Sequence, residues 1–135
     1  MNTDFAFVCD HAEAAAKINA LGIGFDTIYA TKVPVKHGHF SFVMQIRTTV
    51  VEVGEKLIEI HIIDDDGKDI IPPVRNKIQL QIKEGTTEAV ARIVMEFGNV
   101  EFPHYGTYSV KAAIEGIEMS SVSFLVTQPP QPKTI

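Results

Sequence analysis

The chain carries a single cysteine, Cys9, so no internal disulfide can form, and a reducing compartment, the cytoplasm, is the expected location. Positive charge is also in short supply: 12 Lys and Arg stand against 17 Asp and Glu, a net charge of −5. Without surplus cations to displace counterions from phosphates, nucleic acid is not an expected partner. No apolar run approaches the ~18 residues of a membrane-crossing helix, so no membrane contact is expected either. The opening Met1-Asn2-Thr3-Asp4 lacks the basic stretch and apolar core of a signal peptide. What is present is an ordinary globular balance, 45% hydrophobic and 21% charged over 135 residues. That length suits one domain with its own core.

The hydrophobic pattern runs in period two, which sends alternate side chains to opposite faces of a strand. Phe40, Phe42, Met44 and Ile46 form one apolar row, and Ile58, Ile60 and Ile62 another. Gly54 between them is a turn signal and predicts a hairpin. Ile78, Leu80 and Ile82 alternate with Gln79 and Gln81; Ala91, Ile93, Met95 and Phe97 make a fourth run. Tyr108, Val110, Ala112 and Ile114 make a fifth, and Glu115-Gly116 turns the chain into a last strand carrying Val122, Phe124 and Val126. Short strands divided by Gly, Pro and Asp turns predict a sandwich or barrel rather than a βαβ protein. Gly106 followed by Tyr108 at the start of the fifth run is the pattern of a tyrosine corner, whose phenol bonds back to main chain just upstream.

The first thirty residues are mixed. Phe5, Phe7 and Cys9 alternate as a strand would, whereas His11 to Lys17 is rich in alanine and favours a helix that Asp10 would cap. The segment Phe5-Ala6-Phe7-Val8-Cys9-Asp10, then Lys17-Ile18-Asn19-Ala20-Leu21-Gly22 and Phe25-Asp26-Thr27-Ile28, resembles the opening of a widespread bacterial family of uncharacterised β-sandwich proteins. Asp64-Asp65-Asp66-Gly67 and Phe102-Pro103-His104-Tyr105-Gly106-Thr107-Tyr108 agree with later pieces of it, so the resemblance spans roughly residues 4–126. Ala16 stands where that family has Gly. The resemblance implies an all-β fold with Lys17–Leu21 as a strand and residues 11–16 as a loop or single helical turn. It implies no activity.

Candidate chemistry is sparse. Asp64-Asp65-Asp66-Gly67-Lys68-Asp69 is the densest acidic run, and Asp64, Asp66 and Asp69, with Asp26 as a further donor, are the candidate Ca²⁺ ligands. An EF-hand is excluded, since Arg75 falls where its bidentate Glu belongs, and an Asp-Gly turn with solvated carboxylates accounts for the run. His37 and His39, at i and i+2, would begin a Zn²⁺ or Fe²⁺ site with His61 or His104 as third ligand. Val43 and Met44 occupy the positions where a cupin places Glu. Cys9-Asp10-His11 sets a thiol beside an acid and an imidazole, but Cys9 shares the apolar row of Phe5 and Phe7 and reads as buried and inert. Gly22-Ile23-Gly24 begins like a dinucleotide loop but lacks the third glycine and any βαβ unit; a bulge or kink in a long strand explains it. Phe97, Phe102, Pro103, His104 and Tyr105 form an aromatic segment, with His104 and Tyr105 as candidate partner contacts.

The expectation is a single antiparallel β-sandwich of about seven to nine strands over residues 1–126, immunoglobulin-like in its C-terminal half, followed by an extended Pro-rich tail at 127–135. The expected function is a small non-enzymatic binding or assembly module with no cofactor, whose partner is another protein or a second copy paired through edge strands. The alternative is a metal-binding protein or metal-dependent enzyme built on the Asp64–Asp69 loop or on His37 and His39.

Overall fold

The alternation that is strongest in the sequence sits in the most deeply buried strand, one of the two longest, of the structure, a computed structural model that describes residues 1–130. In chain order the strands are β1 (Asn2–Cys9), β2 (His11–Ala14), β3 (Ile18–Leu21), β4 (Thr27–Tyr29), β5 (Val35–Thr49), β6 (Gly54–Ile63), β7 (Val74–Leu80), β8 (Glu88–Phe102), β9 (Gly106–Ile114) and β10 (Ile117–Thr127). Three sheets result: β1-β5-β8, β4-β10-β9-β6-β7, and the separate pair β2-β3. All the pairings are antiparallel except that of β4 on β10. The fold is the expected all-β sandwich. Its strand number rises to ten because the first thirty residues supply four short or medium strands.

The two larger sheets face each other across one core. Phe40, Phe42, Met44 and Ile46 of β5, with Ile93, Phe97 and Phe102 of β8, meet Ile58, Ile60 and Ile62 of β6 and Tyr108, Val110, Ala112 and Phe124 of β9 and β10. Each such large apolar side chain taken from water contributes about 1.5–3 kcal/mol, so this layer dominates the stability. On the far side of the five-stranded sheet the faces are polar, as shown by the cross-strand Ser109–Ser123 hydroxyl pair at 2.9 Å and the Lys111–Glu118 ion pair at 3.1 Å.

The three-stranded sheet differs in being apolar on its outer face too. Cys9 and Val43 are fully buried there, with Phe7 and Val94 beside them. The β2–β3 hairpin covers them, and its Ala12 is almost fully buried in the process. This is why residues 11–14 pair as a strand instead of forming the loop or helical turn expected for 11–16: a flat apolar surface is available to an alternating segment, and tertiary burial outweighs alanine's helix propensity. Gly22 and Gly24, at φ +66° and +76°, break the chain between β3 and β4 rather than bulging one long strand.

The hairpin expected across Gly54 is also replaced. β5 and β6 belong to different sheets, and the 3₁₀ turn Val50–Glu52 carries the chain from one to the other. Both strands have a fully apolar row, and placing them in opposite layers lets each row bury the other. The tight turn at Glu115-Gly116 forms as expected, with both residues at positive φ. Thr127, assigned to the tail at 127–135, ends β10; residues 128–130 have no regular structure, and the rest of that tail lies outside the described residues.

One side of the sandwich is closed. The Thr3 hydroxyl donates to the Met119 carbonyl at 2.7 Å, at a register shift in β10, and Ser120 reaches the Met44 sulfur at 3.3 Å. On the other side β7 and β8 do not pair, and a groove of about 560 Å³ opens there, lined by Arg47, Gln81, Lys83, Thr86, Glu88 and Arg92 among others.

The tyrosine corner is present. Tyr108 is fully buried, edge-on to Phe102 at 4.9 Å, and its hydroxyl donates to the His104 carbonyl at 2.6 Å. Tyr108→Phe keeps the ring and strands that carbonyl, which is expected to cost about 1–3 kcal/mol. Urea denaturation should show a lower midpoint at unchanged slope; an unchanged midpoint would mean that the bond holds nothing.

Candidate functional site

Strand β5 brings His37 and His39 to one stretch, but their rings have different neighbours. His37 packs against Phe25 at 6.1 Å and Phe40 at 5.8 Å, whereas His39 lies 5.7 Å from the ring of His11. Burial among these aromatics pushes the His37 pKa below the ordinary imidazole value, against the pull of Asp10. Among the described residues, two trios of ligating side chains place one ligand atom each within 4.8 Å of one another: His11, His39 and Glu96, and Asp64, Asp65 and His104. His37 is in neither.

The first trio is assembled from three strands. Glu96 stands on the outer face of β8, in register with Ser41 of β5, and Ser41 is in turn paired with Cys9 of β1. His39 is two residues from Ser41 on the same face, opposite Gly98, which has no side chain to fill the space beside the imidazole. His11 descends from β2 over this row, its Nδ1 3.8 Å from a Glu96 oxygen and its Nε2 3.4 Å from Glu13. The Ser41 hydroxyl is buried and has no hydrogen-bond partner among the described residues.

The second trio is already committed to holding loops. One Asp64 oxygen accepts from the amides of Asp66 at 3.0 Å and Lys68 at 2.9 Å, which closes the Asp-Gly turn after β6. Its other oxygen lies 3.5 Å from His104 Nε2 and ties that turn to the β8–β9 connection. These amides, more than the imidazole, hold the Asp64 carboxyl below the usual carboxylate range. Asp69 does not join them, since its carboxylate bonds His61 Nδ1 at 2.8 Å; Asp66 and Asp26 belong to neither trio.

The remaining candidates are accounted for by packing. Cys9 is buried, and desolvation raises its thiol pKa, the opposite of what a nucleophile needs. Phe97 and Phe102 are core residues, and Tyr105 donates its hydroxyl to the Ala30 carbonyl at 2.8 Å. His104 and Tyr105 remain partly exposed. Strongly exposed apolar side chains occur at both ends: Val50, Val51 and Ile117 at the end away from Tyr105, and Tyr29 next to the Ala30 that Tyr105 bonds. Glu96 escapes a sequence reading altogether: its only signal is the outward row Val90, Arg92, Val94 and Glu96, and nothing local links that row to His11, 85 positions away.

Hydrogen bonds set two imidazoles apart from the rest. The His61 pKa is raised chiefly by its bond to Asp69, with Glu59 adding to it, while Lys111 stands opposite in the register. The His104 pKa is raised chiefly by the Tyr105 carbonyl and further by Asp64 and Asp65. Both groups therefore lend stability that is complete below the unfolded imidazole pKa of about 6.5 and is lost as pH rises through their folded values. An NMR titration of the imidazole carbons should place His61 and His104 above that value and His37 below it. The reverse order would contradict the assigned bonds.

Two solved structures resemble the fold at a distance. One is the Pseudomonas fluorescens alkylpurine DNA glycosylase AlkC bound to DNA containing an abasic site analog, at 12% identity and TM-score 0.47, over 75% of this chain and 27% of that one. The other is a beta-glucosidase from Listeria innocua in complex with isofagomine, at 13% identity and TM-score 0.47, over 76% of this chain and 15% of that one. The chain thus spans well under two thirds of either protein. No curated protein matches the sequence. Among the described residues, no helix is long and apolar enough to cross a membrane. A family model does match, over residues 4–127, and the chain belongs to that family, a family of unknown function (DUF6941).

Proposed function

We propose that the chain is a small non-catalytic assembly module that works as a homodimer joined through the free edge of β8. The observation that carries this is the contrast among the edges. Strand β4 has three residues, β1 has eight and is interrupted by a register shift between Thr3 and Phe5, and β7 has seven. Shortness and irregularity are among the usual devices that stop a sheet edge from pairing with another chain. Strand β8 has 15 residues, pairs with no strand but β5 among the described residues and borders the open groove.

Its sequence also favours one way of pairing with itself. Antiparallel pairing centred on Val94 sets Arg92 of each copy opposite Glu96 of the other, twice by symmetry, with Ile93 opposite Met95 on the inner face. Centring on Arg92 would oppose Arg92 to itself and Glu88 to Glu96, and centring on Glu96 would oppose two carboxylates. Opposite charges directly across a ladder contribute roughly 0.2–1 kcal/mol and like charges cost as much, so the charges favour the Val94 register over these two. Centring on Val90 also opposes Glu88 to Arg92 but pairs only residues 88–92 of the strand. The three-stranded sheet would become six-stranded. The single Cys9 suits a cytoplasmic setting for such a module, and the Tyr108 corner supports reading its C-terminal half as immunoglobulin-like.

Sedimentation equilibrium should give twice the chain mass at hundreds of micromolar. Arg92→Glu should dissociate the dimer, and Arg92→Glu with Glu96→Arg should restore it. A wild-type monomer throughout that range, or a dimer indifferent to both substitutions, would overturn the proposal.

A further inference from the structure

We infer that His11, His39 and Glu96 form a surface site for a divalent transition-metal ion of the zinc class, which would pin the β2–β3 hairpin to the three-stranded sheet. Two imidazoles and one carboxylate suit Zn²⁺ and its first-row neighbours rather than Ca²⁺, which takes six to eight oxygens. The three ligand atoms lie within 4.8 Å of one another. Metal–nitrogen bonds of about 2.0–2.1 Å would draw tetrahedral ligands to roughly 3.3–3.4 Å apart, an inward movement of about 1 Å. His11 and Glu96, at 44% and 55% side-chain exposure, are free to make it.

Two further features point to a ligand at this place. With His11 Nδ1 turned toward Glu96, its other ring nitrogen faces Glu13 at 3.4 Å, the carboxylate–histidine arrangement that fixes the tautomer of a metal-bound imidazole. Ser41, whose buried hydroxyl has no hydrogen-bond partner among the described residues, is carried on the same face of the sheet, in register with Glu96 and two residues from His39. A water on the ion would satisfy that hydroxyl, and three protein ligands leave room for one. The site is complete within one chain and does not depend on dimerisation. Glu96 offers one oxygen to the ion and keeps the other for Arg92 of a second copy.

The test is titration of chelator-treated full-length protein with Co²⁺, followed by visible absorption, with Zn²⁺ as competitor. One Co²⁺ per chain should bind with a d–d spectrum that Zn²⁺ abolishes. His39→Ala and Glu96→Gln should each weaken binding at least tenfold, and Glu13→Gln about tenfold. His37→Ala, on the same strand but outside the cluster, should leave binding unchanged, and Arg92→Glu should leave it unchanged while removing the dimer. Circular dichroism confirms that each variant is folded. No saturable spectrum below millimolar Co²⁺, or an equal loss with His37→Ala, would overturn the assignment.

Discussion

Strand β5 has no side that faces water along its middle. From Phe40 to Met44 every residue is buried, Phe40, Phe42 and Met44 on the inner face and Ser41 and Val43 on the outer. A strand of this kind has to be covered twice. The five-stranded sheet supplies one cover and sets the sandwich. The second is only a four-residue hairpin pair, β2 and β3, enough for Cys9, Val43 and part of Val94. Much of the rest of the molecule follows from that incomplete second layer: His11 is carried above the sheet, Glu96 and His39 come within its reach, and the edge of β8 stays open.

The polar groups serve the same architecture from the ends. Asp64 closes its own turn through two backbone amides and reaches His104, while the His104 carbonyl accepts from Tyr108. The loops at one end are thus held to the core by a chain of hydrogen bonds running from a carboxylate to a buried phenol. Surface ion pairs such as Arg47 with Asp4 at 2.9 Å and Glu88 at 3.3 Å add little individually, but they mark the outer-face order β1-β5-β8.

The inner rows of β5, β6, β8 and β9 were readable because burial on one face leaves a period-two signature, and Gly-X-Tyr at Gly106 marked the corner. Where burial is two-sided the signature fails. Val43 and Cys9 belong to the outer row, and only the presence of a cover explains why they are apolar. The His11–Ala14 strand was hidden for the same reason, since its alanines favour a helix until a flat surface is there to receive them. Whether β6 returned beside β5 or crossed to the other sheet was not written in Gly54, because either course obeys the same local pattern. The Asp64 turn was legible locally; the trio of His11, His39 and Glu96 was not, because its members meet only through the β5–β8 register and the folding-over of β2.

Amide hydrogen exchange read residue by residue reaches the central claim most directly: β5 is the keel of the fold and β8 the longest of its free edges among the described residues. The β5 amides should be the slowest at every protein concentration. On β8, the alternate amides that point away from β5 should be protected at hundreds of micromolar and lose that protection on dilution. Fast exchange of those amides at all concentrations would contradict the pairing edge, and β5 amides exchanging as fast as those of β4 would contradict the keel.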